Sequence, residues 1–115
     1  MRRVVIESPY AGEVESNLTY LRRCIKDCLT RGEAPIASHG LFTRFFDDDD
    51  WAQRTLCILA GHSWIQKAAA LVVYEDYGTT KGMILGIEEA TRTCIPVEYR
   101  TIGVNDEQQA KQIQK

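Results

Sequence analysis

The chain has 115 residues, of which 44% are hydrophobic and 26% are charged, and its formal net charge is −2. This length predicts a single domain, and this composition is typical of a globular protein rather than a disordered or membrane-bound one. A slightly acidic chain lacks the positive field that attracts a polyanion, so we expect no nucleic-acid binding through bulk charge. Local binding of a small anion stays open.

The N-terminal stretch does not have the pattern of an export signal. Only three apolar residues separate Arg3 from Glu7, which is too few for the core of a signal peptide. No later apolar run approaches the length that crosses a membrane. We therefore expect a cytoplasmic protein that does not associate with a membrane.

The four cysteines are scattered, and two of them, Cys24 and Cys28, are spaced to lie on one side of a helix. No second C-x-x-C or histidine pair completes a metal-ligand set around them. We expect reduced thiols, no metal site and no cofactor.

Apolar segments alternate with segments of helical periodicity along the first 100 residues. Strands are predicted at 4–7, 34–39, 70–75 and 95–100, and helices within 12–33, 51–69 and 83–93. Strands that alternate with helices imply a parallel sheet with right-handed crossovers. We predict a small flavodoxin-like or Rossmann-like three-layer α/β domain over residues 1–101, with a four-stranded parallel sheet in the order 2-1-3-4. A polar tail follows at 102–115.

In an open parallel sheet, ligands bind beyond the carboxyl ends of the strands, where the strand order reverses. Three loops at that edge carry polar and aromatic residues, at 8–12, 38–50 and 76–82. Backbone N–H groups at the start of a following helix favour a phosphate group. We predict these ligand-binding residues on the three loops: Ser8, Tyr10, His39, Asp50, Thr79, Thr80, Lys81 and Gly82.

Each of these residues also has a structural interpretation. The segment "SPYAG" suits a capped turn, and either Thr79 or Thr80 suits the N-cap of a helix. The four aspartates at 47–50 suit the positive end of the helix that follows, while a contact between Asp50 and a ribose hydroxyl stays open. His39 ends the second predicted strand and suits a structural role as well as a binding role.

Five short segments occur between residues 3 and 100: "SPYAG", "APIASH", "DDDD", "VVYEDYGTTKGM" and "IPVEYR". This combination resembles the nucleoside 2-deoxyribosyltransferase-like superfamily, and more closely its small uncharacterised domains from bacteria and phages. The resemblance implies cleavage or transfer of the N-glycosidic bond of deoxynucleosides or their monophosphates by a glutamate nucleophile. It puts Ser8 and Thr80 near phosphate and the nucleophile at position 86, which is Gly86 in this chain.

Four other carboxylates are candidates for the missing catalytic group. Glu88 and Glu89 follow on the same predicted helix, and Glu75 and Asp76 end the third strand. A helix turns by about 100° per residue, so Glu88 projects nearly opposite to position 86. Whether the protein is an enzyme therefore stays open.

The leading hypothesis is a protein that binds a nucleotide or a nucleotide-derived small molecule at the carboxyl ends of the strands. In a phage, such a protein would sequester a host signalling nucleotide in the host cytoplasm. One alternative is an N-glycoside hydrolase or deoxyribosyltransferase, and another is a protein-interaction module with a vestigial site. Exposed strand edges, together with the resemblance, indicate a homo-oligomer.

Overall fold

The structure, a computed structural model, describes residues 1–47 and 49–103. The strands are β1 (Arg2–Glu7), β2 (Glu33–Ile36), β3 (Ala70–Tyr74) and β4 (Val97–Arg100). The helices are α1 (Val14–Thr30), α2 (Ser38–Leu41), α3 (Trp51–Ile65) and α4 (Lys81–Arg92), with a 3-10 helix at Phe42–Arg44. The predicted tail falls almost entirely on 104–115, outside the described residues.

The four strands form one parallel sheet in the order β2-β1-β3-β4, which confirms the predicted fold class and strand order. Val5 of β1 is aligned with Ile36 of β2 on one side and with Leu71 of β3 on the other. Because all the strands run the same way, their carboxyl ends meet at one edge of the sheet. The strand order reverses beside β1 at that edge, which is where a ligand site is expected.

Helices cover both faces of the sheet. On one face, α1 packs Tyr20 and Cys24 against Val4 and other strand residues of the same orientation. On the other face, Val5 belongs to a cluster that includes Ile65 of α3 and residues of α4. Adjacent strand residues point to opposite faces, so an unbroken apolar strand supplies both layers of core.

Several predicted boundaries are wrong, including the following three. The second strand ends at Ile36, because its pairing with β1 ends there, and His39 lies in the short helix α2. The fourth helix begins at Lys81 rather than Met83, because the Thr80 hydroxyl accepts a hydrogen bond from the Met83 N–H at 3.3 Å and caps it. The third helix ends at Ile65, before the residues predicted to complete it.

A buried ion pair joins the beginning of β2 to the end of β4. Arg100 donates hydrogen bonds to both carboxylate oxygens of Glu33 at 2.7 Å, and also to the Tyr74 hydroxyl at 3.2 Å. Glu33 and Arg100 are 5% and 7% exposed. The hydrogen bonds from Arg100 hold the pKa of Glu33 below its ordinary value. Arg2 also donates to the Glu33 carboxylate at 3.1 Å, but its side chain is far more exposed, so Arg100 is the main compensation for the buried charge of Glu33.

Within the described ranges, none of the helices combines the length and the apolar character that crossing a membrane requires. The same residues contain no group of three or more histidine, cysteine, aspartate or glutamate side chains arranged to hold a metal ion.

Candidate functional site

A cavity of about 310 Å³ opens at the carboxyl edge of the sheet. Its walls come from the end of β1 and the following loop, from α2, from one side of α3 and from the first turn of α4. The cavity therefore lies where the topology of the sheet places a ligand site.

Six of the eight predicted ligand-binding residues line this cavity: Ser8, Tyr10, His39, Thr80, Lys81 and Gly82. Thr79 is exposed and is not part of the lining. Asp50 also lies outside it, and its carboxylate accepts a hydrogen bond from the Gln53 N–H at 3.1 Å. Asp50 is thus the N-cap of α3, as its structural interpretation predicted.

Ser8 and His39 form a polar pair in the cavity wall. The Ser8 Oγ and the His39 Nε2 are 2.8 Å apart, and Ser8 is only 4% exposed. Burial lowers the pKa of His39 to about 4, so the imidazole is neutral at pH 7. A neutral imidazole has one donor and one acceptor nitrogen, and either partner of this pair can donate to the other.

Asn17 holds the loop that carries Ser8 and Tyr10. Its side chain is fully buried, and its Nδ2 group donates to the carbonyl oxygens of Tyr10 and Ala11 at 2.8 and 3.0 Å. These bonds satisfy backbone carbonyls that the turn between β1 and α1 would otherwise leave unpaired. The wall beside the sheet is therefore built from a constrained loop.

Two cationic side chains reach the cavity from different elements. Lys81 begins α4 and Arg54 lies on α3, and both are exposed at the rim. The first turn of α4 adds the positive end of a helix dipole. This side of the cavity is suited to an anionic group.

A carboxylate that the sequence patterns did not single out lies inside the cavity. It belongs to Glu7, the last residue of β1, and no ion pair or hydrogen bond joins it to another described residue. Burial without a compensating partner raises the pKa of this carboxyl group to about 8. The available signal was its position, because an acidic residue ends an otherwise apolar predicted strand at the carboxyl edge of the sheet.

Gly86 of α4 makes room for the Glu7 side chain. A Cβ atom at Gly86 would lie 2.6 Å from the Cδ atom of Glu7 and 3.1 Å from its Cγ atom. Such distances are far below van der Waals contact, so any larger residue at this position would displace the carboxylate. The absence of a side chain at position 86 therefore determines where the cavity carboxylate lies.

The four carboxylates predicted as catalytic candidates lie outside the cavity lining: Glu75, Asp76, Glu88 and Glu89. Asp76 accepts hydrogen bonds from the Tyr20 hydroxyl at 2.5 Å and from the N–H groups of Ile102 and Gly103. Glu89 accepts hydrogen bonds from Gln66 and Arg92, each at 2.7 Å. Glu75 and Glu88 are exposed. Asp76 and Glu89 thus connect structural elements.

The contribution of α3 to the cavity was not predicted. Besides Arg54, this helix supplies Cys57 and His62, which are half-buried. Gly61 lets the helix approach α2, because a Cβ atom there would lie 2.5 Å from the Ser38 Oγ. The sequence has no local pattern that turns this side of α3 toward the sheet edge.

The sheet order and the helices on both faces define a three-layer α/β protein with a four-stranded parallel sheet. The structure is similar to that of a 2-deoxyribosyltransferase from the psychrotolerant bacterium Bacillus psychrosaccharolyticus, with a TM-score of 0.68. The match covers 90% of this chain and 77% of that chain at 13% sequence identity. It confirms the predicted resemblance at the level of the fold.

The chain belongs to a family described as a domain of unknown function, DUF7768, which matches residues 2–100. Comparison with curated proteins finds no match for this sequence. The function is therefore argued from the residues of the cavity.

Proposed function

We propose that this protein binds a nucleotide or a nucleotide-derived small molecule in the cavity at the carboxyl edge of the sheet. The observation that carries this proposal is the division of the cavity into two chemically different parts. Lys81 and Arg54 are exposed at its rim, while the neutral Ser8–His39 pair and the unpaired Glu7 lie further from solvent. A nucleotide has the same division, with an anionic phosphate at one end and an uncharged base at the other.

This division also suggests how the ligand is oriented. The phosphate would lie at the rim, against Lys81, Arg54 and the first turn of α4, where cations and a helix dipole favour it. The base and sugar would lie inside, beside Glu7 and the polar pair. In the reverse orientation the phosphate would lose the two rim cations, and the neutral groups inside the cavity supply no positive charge in their place.

Removal of either rim cation is expected to weaken nucleotide binding severalfold, because each makes a charge-assisted contact with phosphate. The measurement is isothermal titration calorimetry with AMP on Lys81→Ala and Arg54→Ala variants, at two salt concentrations. Lys67→Ala is the matched control, since Lys67 is exposed and lies outside the cavity. Wild-type affinity in both rim variants would contradict the proposed phosphate position.

A second candidate function is hydrolysis of an N-glycosidic bond, and Glu7 is the observation that favours it. A carboxyl group with a pKa near 8 is a suitable general acid at neutral pH. In this reaction the C1′–N bond breaks, the departing base takes the proton of Glu7, and water adds hydroxide to C1′ and returns a proton to the carboxylate.

If this second function is correct, Glu7→Gln should lower the release of free base on the order of a hundredfold or more, because general acid catalysis is lost. The assay is chromatography of a nucleoside and nucleotide panel after incubation with the protein. Glu88→Gln serves as the control because Glu88 is exposed. No release of base by the wild type would exclude this function and leave binding as the activity.

Other expectations from the sequence stay predictions. The third hypothesis, an interaction module, and the expected homo-oligomer concern surfaces outside the cavity, where α3 exposes Trp51, Leu56, Leu59 and Trp64 in the single chain. Light scattering tests the oligomeric state. Sequestration of a signalling nucleotide rests on the resemblance, and the cytoplasmic location stays an expectation from the sequence.

A further inference from the structure

Glu7 has a half-buried carboxyl group that is paired with no other residue in the described part of the chain. It lies in the cavity wall at the end of β1, and no described lysine, arginine or histidine is paired with it. A carboxylate in such a place loses hydration without gaining a cation or a donor, which favours its neutral form. The Glu7 side chain also lies against α4, where the absence of a side chain at Gly86 leaves room for it.

A neutral carboxyl group has an O–H donor beside a carbonyl acceptor. Adenine has the complementary arrangement, with an exocyclic amino donor beside a ring-nitrogen acceptor. An ionised carboxylate has acceptors only, and therefore suits the two adjacent N–H donors of guanine instead. The protonation state of Glu7 thus decides which base edge it can hold.

We propose that Glu7 acts as a neutral carboxyl group that holds the base of the ligand, donating to a ring nitrogen and accepting from an exocyclic amino group. The selected ligands are nucleotides whose base has an amino group beside an unprotonated ring nitrogen, as adenine and cytosine have, and AMP is the probe. This proposal rests on the proposed nucleotide-binding function and adds the base and the residue that recognises it.

The proposal predicts a particular dependence of affinity on pH. With a pKa near 8, the neutral fraction of Glu7 falls about tenfold between pH 7 and pH 9, and the affinity for AMP should fall by about the same factor. The affinity for GMP should not fall in this way. Six other ionisable side chains line the same cavity and require a control: Tyr10, His39, Arg54, Cys57, His62 and Lys81.

Glu7→Gln is that control, because glutamine has a donor and an acceptor at every pH and is the same size. The variant leaves the other six groups in place, and glutamine pairs well with adenine. AMP and GMP are titrated calorimetrically into wild type, Glu7→Gln and Glu7→Ala at pH 7 and pH 9. We expect AMP affinity to fall with pH in the wild type alone, and Glu7→Ala to bind AMP at least severalfold more weakly at pH 7 than either.

Gly86→Ala is an independent test of the position of the Glu7 carboxyl group. The added methyl group displaces the Glu7 carboxyl group, so AMP affinity should fall severalfold. In the Glu7→Ala background the same methyl group meets no carboxyl group, and the fall should disappear. Such non-additivity identifies a contact between the two positions rather than a general loss of fold.

Two results would overturn the role of Glu7 while the proposed function stands: AMP binding with the same pH dependence in wild type and Glu7→Gln, or tighter binding of GMP than AMP at pH 7. Absence of binding of both AMP and GMP to the wild type would overturn the proposed function together with this inference. The outcomes are therefore distinguishable within one set of titrations.

Discussion

Replacing Glu7 with glutamine is expected to stabilise the protein at pH 9 and to change its stability little at pH 4. The pKa of Glu7 is about 8 in the folded chain, against an ordinary value of 4.5. The stability associated with its neutral form is complete below about pH 4.5 and is lost as the pH rises to about 8. Glutamine has no charge to bury, so the variant does not suffer this loss.

The full pKa difference corresponds to an upper limit of about 5 kcal/mol at high pH. We therefore expect a gain of several kcal/mol, up to this limit, in the free energy of unfolding of Glu7→Gln relative to the wild type at pH 9. Urea denaturation at the two pH values measures it, with Glu88→Gln as an exposed control. Equal stability of wild type and Glu7→Gln at pH 9 would show that the carboxylate is well solvated or paired.

Replacing Arg100 with methionine is expected to destabilise the protein strongly at pH 7. It leaves Glu33, which is 5% exposed, without the guanidinium that donates to both of its carboxylate oxygens. Removal of one partner from a buried ion pair costs about 3 to 5 kcal/mol, and the remaining contact of Glu33 with Arg2 at 3.1 Å puts the expected cost toward the lower end of that range. The midpoint of urea denaturation at pH 7 is the measurement.

Two further variants separate this explanation from a simple loss of packing. Glu33→Gln in the Arg100→Met background should recover part of the stability, since no unpaired buried charge is left. Arg92→Met breaks an ion pair with Glu89 at the surface and should have a far smaller effect. The pKa of Glu33 is lowered in the folded protein, so the cost of Arg100→Met should shrink as the pH falls below about 4.5. A pH-independent cost would point to packing alone.

The sequence was sufficient to predict the parallel sheet and the order of its strands. The apolar run of β3 and the periodicity of α1 are local patterns, and the right-handed crossover rule leaves few topologies that fit them. Ser8 and Thr80 were located at the carboxyl edge of the sheet because both lie in loops that follow the carboxyl ends of parallel strands. The boundary of β2 was wrong because an apolar segment does not indicate where its pairing with a neighbour stops.

The carboxylate in the cavity could be identified only from the tertiary structure. Glu7 ends a strand that is buried on both faces, and such a strand has no alternation that indicates the direction of its last side chain. Its position depends on the approach of α4, at Gly86, to the end of β1. Likewise, Arg54 reaches the rim only because α3 packs over the edge of the sheet.

The sequence by itself thus determined the architecture and the edge at which the site lies, since both follow from local periodicity and chain connectivity. Only the tertiary structure decided which charged groups meet there. That choice depends on contacts between residues far apart in the chain, where the space left by one glycine admits the side chain of another element.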